Sequence, residues 1–513
     1  MPSLNEGILD SGTWSDVGDE KSMPARSRWQ SYGNFTWVTH SARNFLSRFW
    51  PSRSSASAKN VHPTAYLDGL RGFAALLVYW HHHELWSHTG QSALFQDGFG
   101  RDGDYRFASI PGVRTFFTGG HYSVSTFFVI SGYVLALKPL SLFLAGNRVG
   151  LGDHLASSIF RRWIRLYLPL FASVMVYSMS WHILGIWVRA APQQPTWREE
   201  LWALYTQAKN FSFVFNSGGD PWLHYNVHLW SIPLEFRGSM VIYASILAFS
   251  RCSVRNFLWC SVGLLFYFMY IVDGWYCAMF MSGLIICHLD LLSGQDELPS
   301  FLARLEPYKT FISYHMLALS IYLGGVPSEN NDVDNLAKNR GWYYLSYLKP
   351  QAVFDYKWFY LFWAATLLVA SVPRIRWLRR FFETSACQYL GRISYALYLV
   401  HGPVIAVVGD RLYLAAGWEL EDESRANIPW WFNKMALPRK GPMGLELSFL
   451  LPHIILLPLT IFLAELVTRG IDGPSVRFAS WVYRSVSSPE ASPRRPSAKS
   501  LFDELPRDEN KRS

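Results

Sequence analysis

The sequence predicts an all-α fold: a polytopic integral membrane bundle of about ten transmembrane helices. Three observations carry that expectation. Half of the 513 residues are hydrophobic and only 17% are charged, against about a quarter in soluble proteins. The apolar residues fall into blocks close to the ~20 residues that cross a bilayer. Those blocks lie between two polar ends rich in Ser and Arg.

Residues 1–63 lack sustained periodicity and read as a disordered cytoplasmic tail. The first apolar block begins near Leu67, too late for a cleavable signal peptide. Candidate spans follow near 67–86, 121–138, 164–187, 229–250, 256–273, 275–293, 310–326, 356–373, 387–408 and 446–468, all within one membrane domain, 64–483. Residues 484–513 return to Ser, Pro and charge and read as a second disordered tail. No internal repeat of the kind that builds duplicated transporters is visible.

Orientation follows from the basic residues near the span ends. With both termini cytoplasmic, the short loops on that side carry Arg148, Arg161, Arg162, Arg251, Arg255, Arg304, Lys309, Arg374, Arg376, Arg379 and Arg380. The opposite loops are longer and sparser in Lys and Arg. Asn210-Phe211-Ser212 falls on that far side and is the expected glycosylation sequon, whereas Asn34-Phe35-Thr36 would be cytoplasmic and unused. The net charge of +9 lies in the tails and beside apolar blocks, without the aromatic interleaving of nucleic-acid binders. Membrane lipid is therefore the expected partner, and nucleic acid is not. Five cysteines match neither a zinc site nor a disulfide framework and read as packing residues.

Ionisable side chains inside spans are expensive unless paired or facing a wet cavity, so they are where chemistry is sought. In the first span, LDGLRGFAALLVYWHHHELW, Arg71 and His82 are eleven residues apart. At ~100° per residue this is about three turns, which puts both on one face, ~16 Å apart along the axis. His81 and His83 diverge from that face by ~100° each. The structural alternative has Arg71 snorkelling to headgroups and His82 packing at the opposite interface. Three consecutive histidines do not have the i, i+4 spacing of helical zinc pairs, so no metal is expected.

Three more segments stand out. In HYNVHLWSIPLEFRG, His228 precedes Glu235 by seven residues, about two turns, with Pro233 expected to kink the helix. Glu235 would orient an imidazole or stabilise it once protonated; alternatively it pairs with Arg237 or Arg71. In SIFRRWIRLYLP, Arg161, Arg162 and Arg165 stand at the expected entrance of the third span. Arginine forks there suit the phosphates of a nucleotide donor or of lipid, and positive-inside anchoring explains them equally well. YLGRISYALYLVH ends at His401, where a buried structural histidine and a catalytic one are both open readings.

Together these segments resemble the acyltransferase-3 family, ten-span membrane enzymes that acylate sugars, polysaccharides and small molecules. The likeness covers roughly residues 64–483. It rests on the Arg71/His82 pair, on STFFVISGY with Ser131 and Gly132, and on the RRxxR segment at Arg161, Arg162 and Arg165. HxWSLxxE is matched at His228, Trp230, Ser231 and Glu235, and LGxxSYxLYLxH from Leu390 to His401. Many relatives carry an aromatic pair after the glutamate, where this chain has Arg237-Gly238-Ser239. The polar tails and the PLEFRG variant resemble fungal members tied to secondary metabolism or cell-surface glycans.

The resemblance implies an O-acyltransferase with no bound cofactor. It would use acyl-CoA (acetyl-CoA foremost) as co-substrate and a hydroxyl of a small molecule or glycan as acceptor. His82 would take the acceptor proton and Arg71 would hold the donor or the charge building on it, with Glu235 and His228 in the catalytic group. Arg161, Arg162 and Arg165 would bind the donor, with His401 and Ser131 as further members. The implied location is an endomembrane, ER or Golgi. A proton-coupled transporter is the competing class, since His, Glu and Arg at depth also build proton relays.

Overall fold

The computed structural model describes residues 62–88, 97–189, 193–215, 222–328, 331–418 and 422–487. All regular structure among them is helical. In lipid no water can satisfy backbone N–H and C=O groups, and a helix pairs them internally. The principal helices are α1 (Ala65–Ser87), α2 (Gly120–Leu144), α3 (Arg148–Leu184), α4 (Trp197–Phe211), α5 (Ser231–Phe249), α6 (Val254–Phe266), α7 (Trp275–Ser293), α8 (Lys309–Gly324), α9 (Tyr356–Ser371), α10 (Ser385–Val404), α11 (His453–Val467) and α12 (Gly473–Val486).

The protein is thus an all-α polytopic bundle. Among the described residues, seven continuous helical stretches are long and apolar enough to cross a membrane. Tyr356–Arg374 with Arg376–Phe382, bent by 99°, would make an eighth. The expected ten would further need α1, whose polar residues lower its apolar character, and the 16-residue α8. The expected N-terminal tail lies outside the described residues except for positions 62 and 63, as does the Asn34 sequon; α12 runs to Val486, slightly beyond the expected domain end. All five cysteines are free, and Cys277, Cys287 and Cys387 are buried.

The bundle centre is set by two glycine-lined helix crossings. A Cβ on Gly72 of α1 would lie 2.2 Å from the Gly391 nitrogen of α10, and one on Gly391 would lie 2.3 Å from the Asp68 carbonyl oxygen. Likewise a Cβ on Gly132 of α2 would meet the Phe280 carbonyl at 2.0 Å, and one on Gly283 of α7 the Val129 carbonyl at 2.0 Å. Side chains no larger than hydrogen let these backbones touch, the usual basis of close packing between membrane helices. The α1/α10 crossing fixes the depth of everything α1 presents to α10.

The span expected to begin near residue 164, with its arginines at the entrance, lies within a longer helix: α3 has 37 residues, about 55 Å at ~1.5 Å per residue, well over the ~30 Å of a bilayer core. Asn147 caps it by accepting from the Gly150 N–H, and left-handed Gly185 (φ 62°) ends it. Arg161, Arg162 and Arg165 therefore sit inside a continuous helix and are buried. Pro233 does not kink α5, because it lies in the first turn, where its missing N–H has no intrahelical acceptor to lose.

Candidate active site

Three imidazoles from three elements converge in the bundle. His82 comes from α1, His401 from α10, and His228 from a 3-10 turn, Val227–Trp230, that leads into α5. The ring centroids are 4.1 Å apart for His82–His228, 5.0 Å for His82–His401 and 5.1 Å for His228–His401. His82 Nδ1 and His401 Nε2 are 3.0 Å apart, a hydrogen-bond distance.

The partners settle the tautomers. His401 Nδ1 lies 3.2 Å from the Leu397 carbonyl oxygen, which can only accept, so Nδ1 carries the proton. Neutral His401 then has its lone pair on Nε2 and accepts from His82. His82 must donate through Nδ1, which leaves Nε2 as its basic nitrogen.

His228 is held by backbone anchoring. Tyr398 Oη donates to the His228 carbonyl oxygen, so Ser231 Oγ, 2.8 Å away, donates to Tyr398. Asn226 Nδ2 donates to the Leu399 carbonyl (3.2 Å). Gly402 makes room: a Cβ there would lie 2.5 Å from Asn226 Oδ1 and 2.6 Å from His228 Cδ2. Farther out, buried Glu200 of α4 gathers Tyr225 Oη (2.5 Å), His182 Nε2 (2.9 Å), Trp181 Nε1 (3.0 Å) and the Gln194 N–H (3.0 Å). Burial pushes the Glu200 carboxyl upward, but these donors outweigh it and hold it below the ordinary carboxylate value.

Arg71 and His82 both face α10. Arg71 Nε donates to Ser394 Oγ (3.0 Å) and Nη2 to the Gly391 carbonyl (2.9 Å); Nη2 also lies 3.3 Å from Asp68. Ser394 and His401 are seven residues apart, so α10 carries both contacts two turns from one another. Arg71 lines a largely apolar cavity of about 580 Å³ with Phe127, Phe128, Ser131, Glu235 and Tyr395. His82 is not in that lining; the cavity reaches Ser231 and Tyr398, the pair bonded to the His228 backbone.

The close partner of Glu235 is Arg162: its Oε1 lies 2.5 Å from Arg162 Nη2, with Ser131 a further hydrogen-bond neighbour and Arg71 within electrostatic reach. His228 belongs to the 3-10 turn that leads into α5, so the seven-residue helical spacing does not by itself set its facing toward Glu235. Arg162 Nε donates to Ser239 Oγ (2.8 Å), so the residue that departs from the aromatic pattern of relatives completes this bond set. Arg161 bonds the Ser157 carbonyl and Ser480, and Arg165 lies within electrostatic reach of Asp472. Each of the three arginines of RRxxR thus has protein partners of its own. Asn210, the expected glycosylation site, is exposed near the end of α4.

The remaining histidines of the HHH run have separate surroundings. His83 Nδ1 bonds Tyr413 Oη (2.8 Å), while Tyr79 Oη bonds His453 Nδ1 (2.9 Å), making a polar wall behind the site. His81 faces the other way, its ring 5.8 Å from that of His121. Sequence reading missed Asn226, Gly402 and His121. The Gly after His401 was the one available signal, a small residue beside a functional candidate.

The three ring nitrogens of His82, His228 and His401 lie within 4.8 Å of one another and could reach one metal ion. The set would suit zinc, with the Leu397 carbonyl as an outer acceptor. The direct His82–His401 bond uses the same lone pair that such an ion would need.

The comparisons define the class: a membrane O-acyltransferase. The chain belongs to the acyltransferase-3 family, whose profile, described as an acyltransferase domain, matches residues 64–438. O-acetyltransferase PaAT-1 of Phomopsis amygdali is 30% identical over 92% of this chain and 95% of its own length. Acyltransferase clz18 of Cochliobolus lunatus is 22% identical, covering 83% of this chain and 96% of that protein. Acyltransferase R4 of a Phoma species is 24% identical, over 68% and 84% respectively. No solved structure matches the chain. The transporter expectation gives way to an enzyme.

Proposed function

We propose that this enzyme transfers an acetyl group from acetyl-CoA to a hydroxyl of a small secondary metabolite or glycan, with His82 as general base. The observation that carries the reading is the His401–His82 hydrogen bond, with His401 Nδ1 committed to the Leu397 carbonyl. That arrangement presents His82 Nε2 as a fixed lone pair. The acceptor hydroxyl gives its proton to His82 Nε2 as its oxygen attacks the thioester carbonyl carbon. The tetrahedral intermediate then breaks its C–S bond, and the proton on Nε2 passes to the departing CoA sulfur. A positioned base of this kind contributes ~10²–10⁴-fold in rate.

The cavity beside Arg71 supports a donor route. Its Phe127, Phe128, Leu166 and Ile232 walls suit the thin pantetheine arm and acyl chain, and its far end meets Ser231 and Tyr398 next to His228. Arg71 keeps guanidinium donors beyond those used by Ser394 and Gly391 for a donor amide or phosphate. Arg162 acts through Glu235, holding α3 to α5 at the cavity wall. The likeness to a relative named an O-acetyltransferase supports acetyl as the cargo. We place the enzyme in an endomembrane with both termini cytoplasmic, where the basic short loops would face acyl-CoA.

The test is mass spectrometry of metabolites and glycans in a deletion strain complemented with wild-type or His82→Ala protein. Loss of an acetylated product in the deletion, restored by wild type and not by His82→Ala, is the expected outcome. Full restoration by His82→Ala overturns the reading. Metal analysis of the purified protein accompanies it: a stoichiometric ion would replace the base role of His82 with ligation.

A further inference from the structure

A second cavity, of about 760 Å³, opens beside the half of α1 opposite Arg71. His81 and Leu85 of α1, Thr118, His121 and Tyr122 at the start of α2, Gly324, Val326 and Ser328 at the end of α8, and Lys357 and Leu361 of α9 form its wall. It is separate from the cavity on Arg71, with which it shares no lining residue. The imidazole cluster stands between the two. His81 is the neighbour of His82, their rings 5.5 Å apart, and His121 lies 5.8 Å from His81 and 6.3 Å from Trp230. Trp230 in turn belongs to the turn that carries His228.

The chemistry of the wall is one-sided. Among the described lining residues it offers an ammonium, two imidazoles and the hydroxyls of Thr118, Tyr122 and Ser328, with no carboxylate, beside apolar Leu85, Val326 and Leu361; Thr118 already donates to the Arg114 carbonyl and Tyr122 bonds Ser320. Lys357 Nζ is 2.7 Å from Asp355, which stands outside the lining and uses one of the three ammonium donors. The ring of His121 contacts His81, Trp230 and Trp358 and makes no hydrogen bond among the described residues. A ligand oxygen entering here would meet the Lys357 ammonium and the His121 ring, whereas a ligand cation would meet Lys357 with no compensating charge among the described lining residues.

We infer that this second cavity is the acceptor site, and that it takes an amphipathic, oxygen-rich acceptor that is uncharged or acidic and not cationic. The inference rests on the acyl-transfer reading above. It assigns Lys357 and His121 as residues that determine specificity. Donor and acceptor approach the imidazole cluster from opposite sides, so neither must leave for the other to bind.

Two tryptophan variants from independent helices test the site: Leu361→Trp on α9 and Leu85→Trp on α1. Each is expressed in the deletion strain, and the acylated product is quantified by mass spectrometry. The purified proteins are tested for thermal stabilisation by acetyl-CoA. The expected result is at least a tenfold fall in product for both, with the acetyl-CoA stabilisation retained. The double variant Lys357→Met/Asp355→Asn removes the charge pair without leaving an orphan. It should raise the KM for the acceptor isolated from the deletion strain about tenfold, with kcat at saturation within about twofold.

Wild-type product in both tryptophan variants overturns the inference. So does loss of the acetyl-CoA stabilisation in both, or a natural product bearing a basic amine. These failures are distinct from failure of the reaction itself, which His82→Ala reports: product lost in His82→Ala and retained in both tryptophan variants refutes only the acceptor site.

Discussion

Replacing His401 separates a positioning role from simple packing. His401→Leu removes the acceptor for His82 Nδ1–H while filling much of the space; His401→Gln keeps a carbonyl able to accept. If His401 only packed, the two would differ little. Loss of one buried hydrogen bond in stability terms is ~0.5–1.5 kcal/mol, equivalent to roughly 2–13-fold in an equilibrium constant. The geometry predicts more. Without the 3.0 Å bond from His82 Nδ1 to His401 Nε2, the His82 proton is free to sit on either nitrogen and the ring is free to turn. A general base is worth ~10²–10⁴-fold, and mis-set tautomers forfeit much of that. His401→Leu should therefore lower kcat on the order of 10²-fold, with donor KM nearly unchanged, while His401→Gln stays within about tenfold of wild type. The assay is initial-rate transfer from isotope-labelled acetyl-CoA in membranes with the isolated acceptor. Equal kcat losses for Leu and Gln, or an effect confined to KM, would refute the relay.

Further expectations follow from the same structure. Gly402→Ala should push His228 and Asn226 apart, since the new methyl would stand 2.5–2.6 Å from them; transfer should fall at least tenfold while acetyl-CoA still stabilises the protein. Arg162→Ala should destabilise by roughly 3–5 kcal/mol by stranding Glu235, and the double change Arg162→Met/Glu235→Leu should recover most of the thermal stability lost. Glu200, whose carboxyl is held low by its donors, contributes stability that is complete above its unfolded value and lost as pH falls through its folded one. Glu200→Gln should thus lower the melting temperature near neutral pH, and that difference should shrink as pH falls below the ordinary carboxylate range. Asn210→Gln should abolish an endoglycosidase-sensitive mobility shift if the α4 loop is lumenal; an unshifted wild-type protein would contradict the orientation.

Much of the architecture was readable before any coordinates, because a bilayer imposes a simple rule on sequence. Segments near twenty apolar residues must be helices, since no other backbone satisfies its own polar groups there. The facing of Arg71 and His82 was also legible, since α1 is one unbroken helix and helical spacing within it is reliable. The same arithmetic carries less at His228 and Glu235, where a 3-10 turn intervenes and a seven-residue interval does not by itself mean a common face. It is silent at Arg162, where sequence showed a basic cluster but not that its carboxylate partner lay 73 residues away.

What the sequence determined by itself was the class of solvent, the helical elements, and the roster of polar side chains too costly to bury without purpose. Only the tertiary structure decided which of them meet. Glycine crossings bring α10 against α1, so that His401 rather than Glu235 orients His82, and Glu235 is spent on Arg162. Local spacing governs where a side chain points, whereas partnership depends on helices distant in sequence and on how closely their backbones can approach.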